Sequence, residues 1–302
     1  MCIRDSIYIM ETIDSQTRII YYLGDLSNKT NVQLNRCITI QDLSNNCSKS
    51  LKTSTYNIRL KPFIDLLKQN NYQLKHFKFF FGDVSYAIDD YCFAKGRSIL
   101  NNKPIILRCI NTPRHWKHYY CKPKDIVYEE KKSILFWRGT TTGKKENKGN
   151  RFDLIEKWYD KQKGIDVGFS NICQGNKNYK QYVKGKCNIE TFLKHKYILS
   201  IEGNDKDSGI QWKLNSNSVV FMTRPTKVSW LMEDKLIPNH HYVLIKDDFS
   251  DLFEKYNWCE KNPESCIQII KNANAYMSMF SDIQKEKWIE KQVIDEYFKR
   301  VN

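Results

Sequence analysis

No two cysteines in this 302-residue chain are spaced as CxxC, although ten are present, at 2, 37, 47, 92, 109, 121, 173, 187, 259 and 266. Irregular spacing in a chain this large reads as reduced thiols in a cytosol-like compartment rather than as a disulfide framework. No apolar run approaches the roughly 20 residues of a membrane-spanning helix. The opening "MCIRDSIYIM" lacks a charged start followed by an apolar core, so no signal peptide is expected. Its first six residues join poorly to the segment from residue 7 onward and read as a candidate non-native start. Internal repeats and low-complexity linkers are absent too. Acids are the scarce charge, 34 Asp and Glu against 49 Lys and Arg, a formal +15. Such a balance asks for an anionic partner, whether nucleic acid, phosphorylated metabolite or acidic membrane surface, without choosing among them.

What is present suffices for substantial cores: 41% of residues are hydrophobic and 13% aromatic. The length fits one large or two ordinary domains. Residues 7–60, rich in Asn, Ser and Thr, read as short strands and loops. A helix is expected at about 61–70 and a strand at 77–81, ending at Gly82-Asp83. Further strands are expected in "KPIILRCI" (103–110), "SILFW" (133–137), "KYILSIEG" (196–203), "NSVVFM" (217–222) and "HYVLIK" (241–246). Phe152, Ile155 and Tyr159 share one face of a helix that Asn150 can cap. The "SDIQ" at 281–284 reads as a capping box opening a helix to about Arg300. Strands alternating with helices imply parallel α/β sheets.

The stretch "WRGTTTGKKENKGNR" (137–151) resembles a phosphate loop but fails as a triphosphate one. A Walker loop needs four residues between its glycines and Ser or Thr after the lysine. Here Gly139 and Gly143 enclose three residues, and Lys145 takes the hydroxyl's place. A strand, a basic loop and a helix start still suit an anion, with Arg138 and Arg151 at the strand end and helix start able to fork onto phosphate oxygens. The loop lysines 144, 145 and 148 read as a solvated surface.

Other constellations are weaker. Asp205 and Asp207 in "EGNDKDSG" (202–209) invite a metal-binding DxD reading. Solvated turn acids are commoner, and Gly203 with Ser208 is the preferred pair for a ligand there. Cys109, His115, His118 and Cys121 carry zinc-type side chains at spacings unlike the common zinc modules, and are expected to be independent loop residues. His240 and His241 open a strand, where neighbouring side chains point apart. Asp83 ends a very apolar strand, at the sheet edge where α/β proteins place ligands. An apolar setting there can raise a carboxylate toward a general base's range.

Three segments taken together resemble the CAP10-like glycosyltransferases, glycosyltransferase family 90, and especially their bacterial lipopolysaccharide-modifying branch. They are "FWRGTTTGKKENKGNRFDLIEKW", "HKYILSIEGNDKDSGIQWKLNSNSVVFM" and "SWLMEDKLIPNHHYVLIKDDFSDL", and "IDVGFSN" (165–171) fits with them. The likeness is close over about 130–255, looser over 75–130 and the helical tail, and absent before about 60. It implies a GT-B fold, two Rossmann-like domains facing a central cleft, with a helical C-terminal tail. The corresponding boundaries are 1–130 for an acceptor-side domain and 131–302 for a donor nucleotide-sugar-binding domain.

The resemblance further implies an inverting transfer from a UDP-sugar to a hydroxyl of a lipopolysaccharide- or capsule-like glycan or glycolipid. No cofactor and no obligate metal are expected. By position, Arg138, Gly139, Thr140, Arg151, Gly203, Ser208 and Lys213 correspond to the donor site, and Asp83 to the catalytic base. Two departures stand out. Gln211 occupies the place of a basic residue, with Lys213 two positions on, and Asp207 replaces a small residue before Ser208. These leave an inactive carbohydrate-binding homologue as an alternative. A nucleic-acid-binding protein, suggested by "RHWKHYYCKPK" (114–124), is the rival class and is not the preferred reading. A cytoplasmic chain is expected, and its basic surface also suits peripheral contact with an anionic membrane.

Overall fold

The apolar segments "SILFW", "KYILS" and "SVVFM" lie side by side as parallel strands, as near-continuous hydrophobicity requires of strands covered on both faces. The computed structural model describes residues 13–35, 37–40, 63–80, 83, 90–100, 103–107 and 124–301. In chain order the first elements are α1 (Ser15–Leu23), α2 (63–69), β1 (Lys78–Phe80), β2 (Cys92–Ala94), β3 (Arg97–Ser98) and β4 (Ile106–Leu107). There follow β5 (Lys132–Thr140), α3 (Arg151–Trp158), β6 (Ile165–Asn171), α4 (Ile189–Leu193) and β7 (His195–Leu199). After α5 (Ile210–Leu214) come β8 (Val219–Met222), β9 (Lys227–Val228) and β10 (Val243–Leu244). The helices α6 (Leu252–Lys261), α7 (Pro263–Ser278) and α8 (Ile283–Arg300) close the chain.

Two parallel sheets result. One holds β1, β2 and β4 in that order, and the other is ordered β10-β8-β7-β5-β6. Counted from β5, the larger sheet runs 2-1-3-4-5, a doubly wound order whose direction reverses between β5 and β7. Those strands pair at Leu135↔Tyr197 and Phe136↔Ile198, but β5 then runs on to Thr140 while β7 stops at Leu199. A crevice therefore opens at their carboxyl ends. A short antiparallel ladder, Arg97↔Val228 and Ser98↔Lys227, joins the segment after β2 to the segment after β8.

Leu135, Trp137, Phe152, Ile155, Phe169, Tyr197 and Phe221 fill one core around the large sheet. A second core gathers α1, α2 and the small sheet with the last helices, through Ile19, Leu23, Phe63, Phe77, Phe93, Tyr276, Val293 and Tyr297. The last helices thus pack against residues that precede β5. Arg18 of α1 and Glu286 of α8, both buried, lock the two helices with paired bonds of 2.6 Å.

Three local expectations change. Residues 15–23 form a helix, not strands or loops: Asp14 caps it, accepting from Thr17 N at 2.8 Å, and Arg18, Ile19, Tyr22 and Leu23 form its buried face. The cap of α8 is Asp282, which accepts from the Gln284 and Lys285 amides. Ser281 instead donates to the Ser278 carbonyl and finishes the turn before it. The strands expected at 196–203 and 241–246 are shorter, ending at Leu199 and Leu244, and after Leu199 the chain leaves the sheet to line the crevice. The Cys109–Cys121 constellation lies outside the described residues. Among the described residues the cysteines carry free thiols, and no helix is long and apolar enough to cross a membrane.

Candidate functional site

Asp83, Arg138, Gly139, Thr140, Arg151, Gly203, Ser208 and Lys213 all line one cavity of about 370 Å³ at the crevice between β5 and β7. Its floor begins with the end of β5. Trp137 turns into the core, and a Cβ on Gly139 would stand 2.4 Å from its ring, so only glycine lets the strand pass. The Arg138 guanidinium lies against the Phe136 ring and forks onto Asp166 of β6, with both Nη2–oxygen distances at 2.9 Å. Burial opposes the charge on Asp166, but bonds from Arg138 and Lys184 outweigh it and hold the carboxyl below its usual range.

Arg151, first residue of α3, reaches back across the crevice. It donates to the carbonyls of Thr140 at 3.1 Å, Ile201 at 3.1 Å and Glu202 at 3.1 Å, and to the Thr142 hydroxyl at 2.8 Å. It therefore fastens the loop after β5 to the loop after β7. Backbone meets backbone beside it. Gly143, at φ +100°, donates to the Asn204 side chain at 2.9 Å, and a Cβ there would lie 3.3 Å from the Gly203 carbonyl carbon. Both arginine forks thus serve the site by shaping it and supplying charge, with their hydrogen bonds directed at protein groups.

The helix start carries the cap the sequence predicts. The Asn150 side chain accepts from the Phe152 and Asp153 amides, each at 2.9 Å, so the first turn of α3 is satisfied from within. Lys145 lies over the Tyr179 ring, 4.4 Å from its centroid. Lys144 and Lys148 line a neighbouring cavity of about 520 Å³ with Thr226 and Asp247, and of the residues lining the two spaces only Gly203 borders both.

The loop after β7 sorts its two acids. Asp207 is partly buried and accepts from Lys213 Nζ, from the Ser200 hydroxyl at 2.9 Å and from the Gly209 amide at 2.9 Å. Burial disfavours its charge, yet Lys213, the Gly209 amide and the nearby Arg151 charge hold the carboxyl below its usual range. Burial likewise pushes the Lys213 ammonium down. Asp205 faces the opposite wall, 3.4 Å from Lys95 Nζ, and burial pushes its carboxyl up. The two carboxylates thus serve different lysines and do not converge.

Lys95, just past β2, also donates to Asp83 Oδ1. The far wall of the cavity is therefore Asp83 and Lys95, from the carboxyl ends of adjacent strands of the small sheet. Among the lining residues Lys95, Arg138, Arg151, Lys206 and Lys213 stand against Asp83, Asp205 and Asp207, with Asp166 and Glu233 behind the wall pairing with Arg138 and Lys206.

Over residues 114–300 the chain matches the glycosyl transferase family 90 pattern. It belongs to that family. It is 33% identical over 219 residues to O-glucosyltransferase LpsA of Dichelobacter nodosus, covering 72% of this chain and 65% of that protein. It is 25% identical over 146 residues to Protein O-glucosyltransferase 2 of Danio rerio, covering 47% of this chain and 28% of that protein. The chain spans less than two thirds of the length of either relative.

The family 90 match contains Arg138 through Lys213 but starts after Asp83 and Lys95, which the fold alone brings to the cavity. Sequence reasoning missed Lys95, Thr142, Lys206 and Trp230, which line it as well. Lys95 carried one usable signal, its place directly after the buried "CFA" strand, at the same sheet edge as Asp83. Lys206 carried another, its place between Asp205 and Asp207 in the loop already singled out, whereas neither spacing nor periodicity relates Trp230 to the crevice.

Proposed function

We propose that this family 90 chain transfers a sugar from a nucleotide sugar, most simply a UDP-sugar, to an acceptor hydroxyl with inversion. The observation that carries this reading is the single cavity joining Asp83 of the small sheet to both loops of the large one. Two parallel sheets presenting their carboxyl edges to one space support a GT-B arrangement. The glucosyltransferase names of both relatives support sugar transfer.

In this reading the nucleotide lies over the crevice between β5 and β7, where doubly wound sheets take such ligands. Asp83 accepts the proton of the acceptor hydroxyl while its oxygen attacks the anomeric carbon from the face opposite the nucleotide. The bond from that carbon to the diphosphate oxygen breaks, and the electron pair leaves with the phosphate. The lysines and arginines of the lining offset the charge growing there, and such fixed electrostatics usually contribute most to catalysis. Because protein cations supply it, the reaction is proposed to need no metal. The acceptor is proposed to be a glycan or glycolipid, which an anionic membrane could present to the basic surface of a cytoplasmic chain. Polynucleotide is not proposed as a partner.

The test is release of UDP from a panel of UDP-sugars, with EDTA present, alongside calorimetric UDP binding. Turnover of one donor at undiminished rate in EDTA is expected. A strict metal requirement would sink the metal-free mechanism, and absence of UDP binding would sink the donor assignment. Arg151→Ala should abolish UDP binding, since it unfastens both loops; unchanged affinity would remove Arg151 from the site.

A further inference from the structure

We propose that Lys95 is a positioning residue that orients the Asp83 carboxylate and tunes its readiness to take a proton, by sharing its ammonium between Asp83 and Asp205. This rests on the reading of Asp83 as the base. Lys95 Nζ bonds Asp83 Oδ1 on one side and lies 3.4 Å from Asp205 Oδ2 on the other. Among the described residues Oδ2 of Asp83 receives no hydrogen bond, which leaves it for the acceptor proton.

The backbone on either side of Lys95 is fixed. Before it, β2 pairs with β1 at Phe80↔Ala94, which puts Lys95 and Asp83 at neighbouring strand ends. After it, Arg97 pairs with Val228 and donates to the carbonyls of Ile105 at 3.2 Å and Tyr21 at 3.1 Å. The lysine stem is therefore held from both ends, and its side chain is only 19% exposed. Asp205 comes from the other sheet, so the ammonium spans the cavity from the base to the donor-side loop.

The charges facing this group are Lys95 itself, Asp205 and its neighbour Lys206 on the donor-side loop, and, across the cavity, Arg138, Arg151 and the Asp207–Lys213 pair. A cation beside a carboxylate favours its charged form, and an anion beside it favours the protonated one. With both acids ionised, Asp83, Lys95 and Asp205 carry one net negative charge. When Asp83 takes the acceptor proton, the Lys95–Asp205 pair remains and the group is neutral. Lys95 thus sets the starting state and Asp205 eases the finish.

The experiment compares Lys95→Met, Lys95→Arg, Asp205→Asn and Asp83→Asn. It uses UDP-glucose turnover across pH, calorimetric UDP binding, and a carboxyl-detected NMR titration of Asp83 that needs no turnover. Lys95→Met should cut kcat about 10- to 100-fold, the range of a misplaced base, while UDP affinity changes less than about threefold. It should also shift the acidic limb of the pH profile, and the Asp83 titration, upward. Asp205→Asn should shift both downward, and Lys95→Arg should restore most of the rate. Opposite shifts in the two variants are not expected of a merely structural lysine.

Unmoved Asp83 titration in Lys95→Met and Asp205→Asn overturns the inference, as does a rate loss matched by equal loss of UDP binding. If Asp83→Asn abolishes turnover while Lys95→Met is fully active, only the positioning role falls. If Asp83→Asn itself stays active, the base assignment falls and takes the positioning role with it.

Discussion

Asp207 and Lys213, six residues apart, form an ion pair beneath the cavity, the lysine buried and the acid's side chain 13% exposed, with the lysine also donating to the Leu199 carbonyl at 2.9 Å. The two departures from the bacterial family 90 pattern noted in the sequence therefore touch. The acid that replaces a small residue is neutralised by the lysine that stands two positions late. Gln211 meanwhile binds the Ser208 carbonyl at 2.9 Å and is fully buried.

Removing one partner of such a pair strands a buried charge, which typically costs about 3–5 kcal/mol. Asp207→Ala and Lys213→Met should each destabilise the chain by that order in chemical denaturation. The double variant should lose less than the two losses added together, since no charge remains unpaired. Additive losses would show that the lysine and the acid are held by other partners.

Gly203 is the close-approach point of the site. A Cβ there would stand 2.8 Å from the Thr142 hydroxyl and 3.0 Å from the Arg151 guanidinium carbon. That guanidinium is fixed by carbonyls on two loops, so it cannot swing aside without breaking them. Gly203→Ala should lower UDP affinity at least about tenfold, the loss of roughly one charge-assisted hydrogen bond, and lower thermal stability as those bonds break. Wild-type affinity would mean that the two loops yield together.

Much of this was legible in the sequence, for identifiable reasons. Buried parallel strands announce themselves by apolar runs, and "SILFW" did so; Asn150 sits where a helix must be capped. The loop lysines and the arginines could not be sorted by spacing. Arg138 is spent on Asp166, 28 residues away, and Arg151 on carbonyls about 50 residues away, pairings that only the doubly wound order creates. The positive end of α3 looked available to an anion because a cap's acceptor and a ligand would satisfy the same amides. Asp83 was placed by resemblance, and the fold sets it in the cavity beside a lysine from a strand too short to show periodicity.

His241 provides a pH-dependent stability. It is 1% exposed, and its Nδ1 accepts the Ile237 amide at 2.8 Å, so a proton on that nitrogen would face another N–H. Burial, with repulsion from His240, pushes its pKa down to about 4. In the unfolded chain a histidine titrates near 6.5. Below that pH the unfolded state binds a proton that the folded state refuses, so stability is complete above about pH 6.5 and falls as pH drops toward 4. The loss should approach about 3 kcal/mol, from roughly 1.4 kcal/mol per pH unit. Urea melts at pH 7, 5.5 and 4.5 should show it, and His241→Asn should flatten the slope. An equally steep slope in the variant would assign the effect elsewhere.

Arg18 and Glu286 provide the corresponding test of how the chain's two ends are joined. The guanidinium is fully buried, stacks 4.6 Å from the Phe280 ring centre, and shares a bidentate bond with Glu286 and a second bond with the Tyr22 hydroxyl. Tyr22 in turn donates to the Trp230 carbonyl at 2.6 Å, so α1, α8 and the segment after β9 meet at one polar point inside a hydrophobic core. Glu286→Ala leaves an arginine with no countercharge there and should cost about 3–5 kcal/mol. Arg18→Met with Glu286→Leu removes both charges while keeping volume, and should recover most of that loss, because apolar replacements of buried pairs are often neutral or better. Tyr22 keeps its acceptor in the double variant, so no new orphan is made. If Glu286→Ala instead costs under about 1 kcal/mol, as an exposed pair would, the last helix must open from α1 before the rest of the chain unfolds, and hydrogen exchange along 283–300 would then be faster than in β5 and β7.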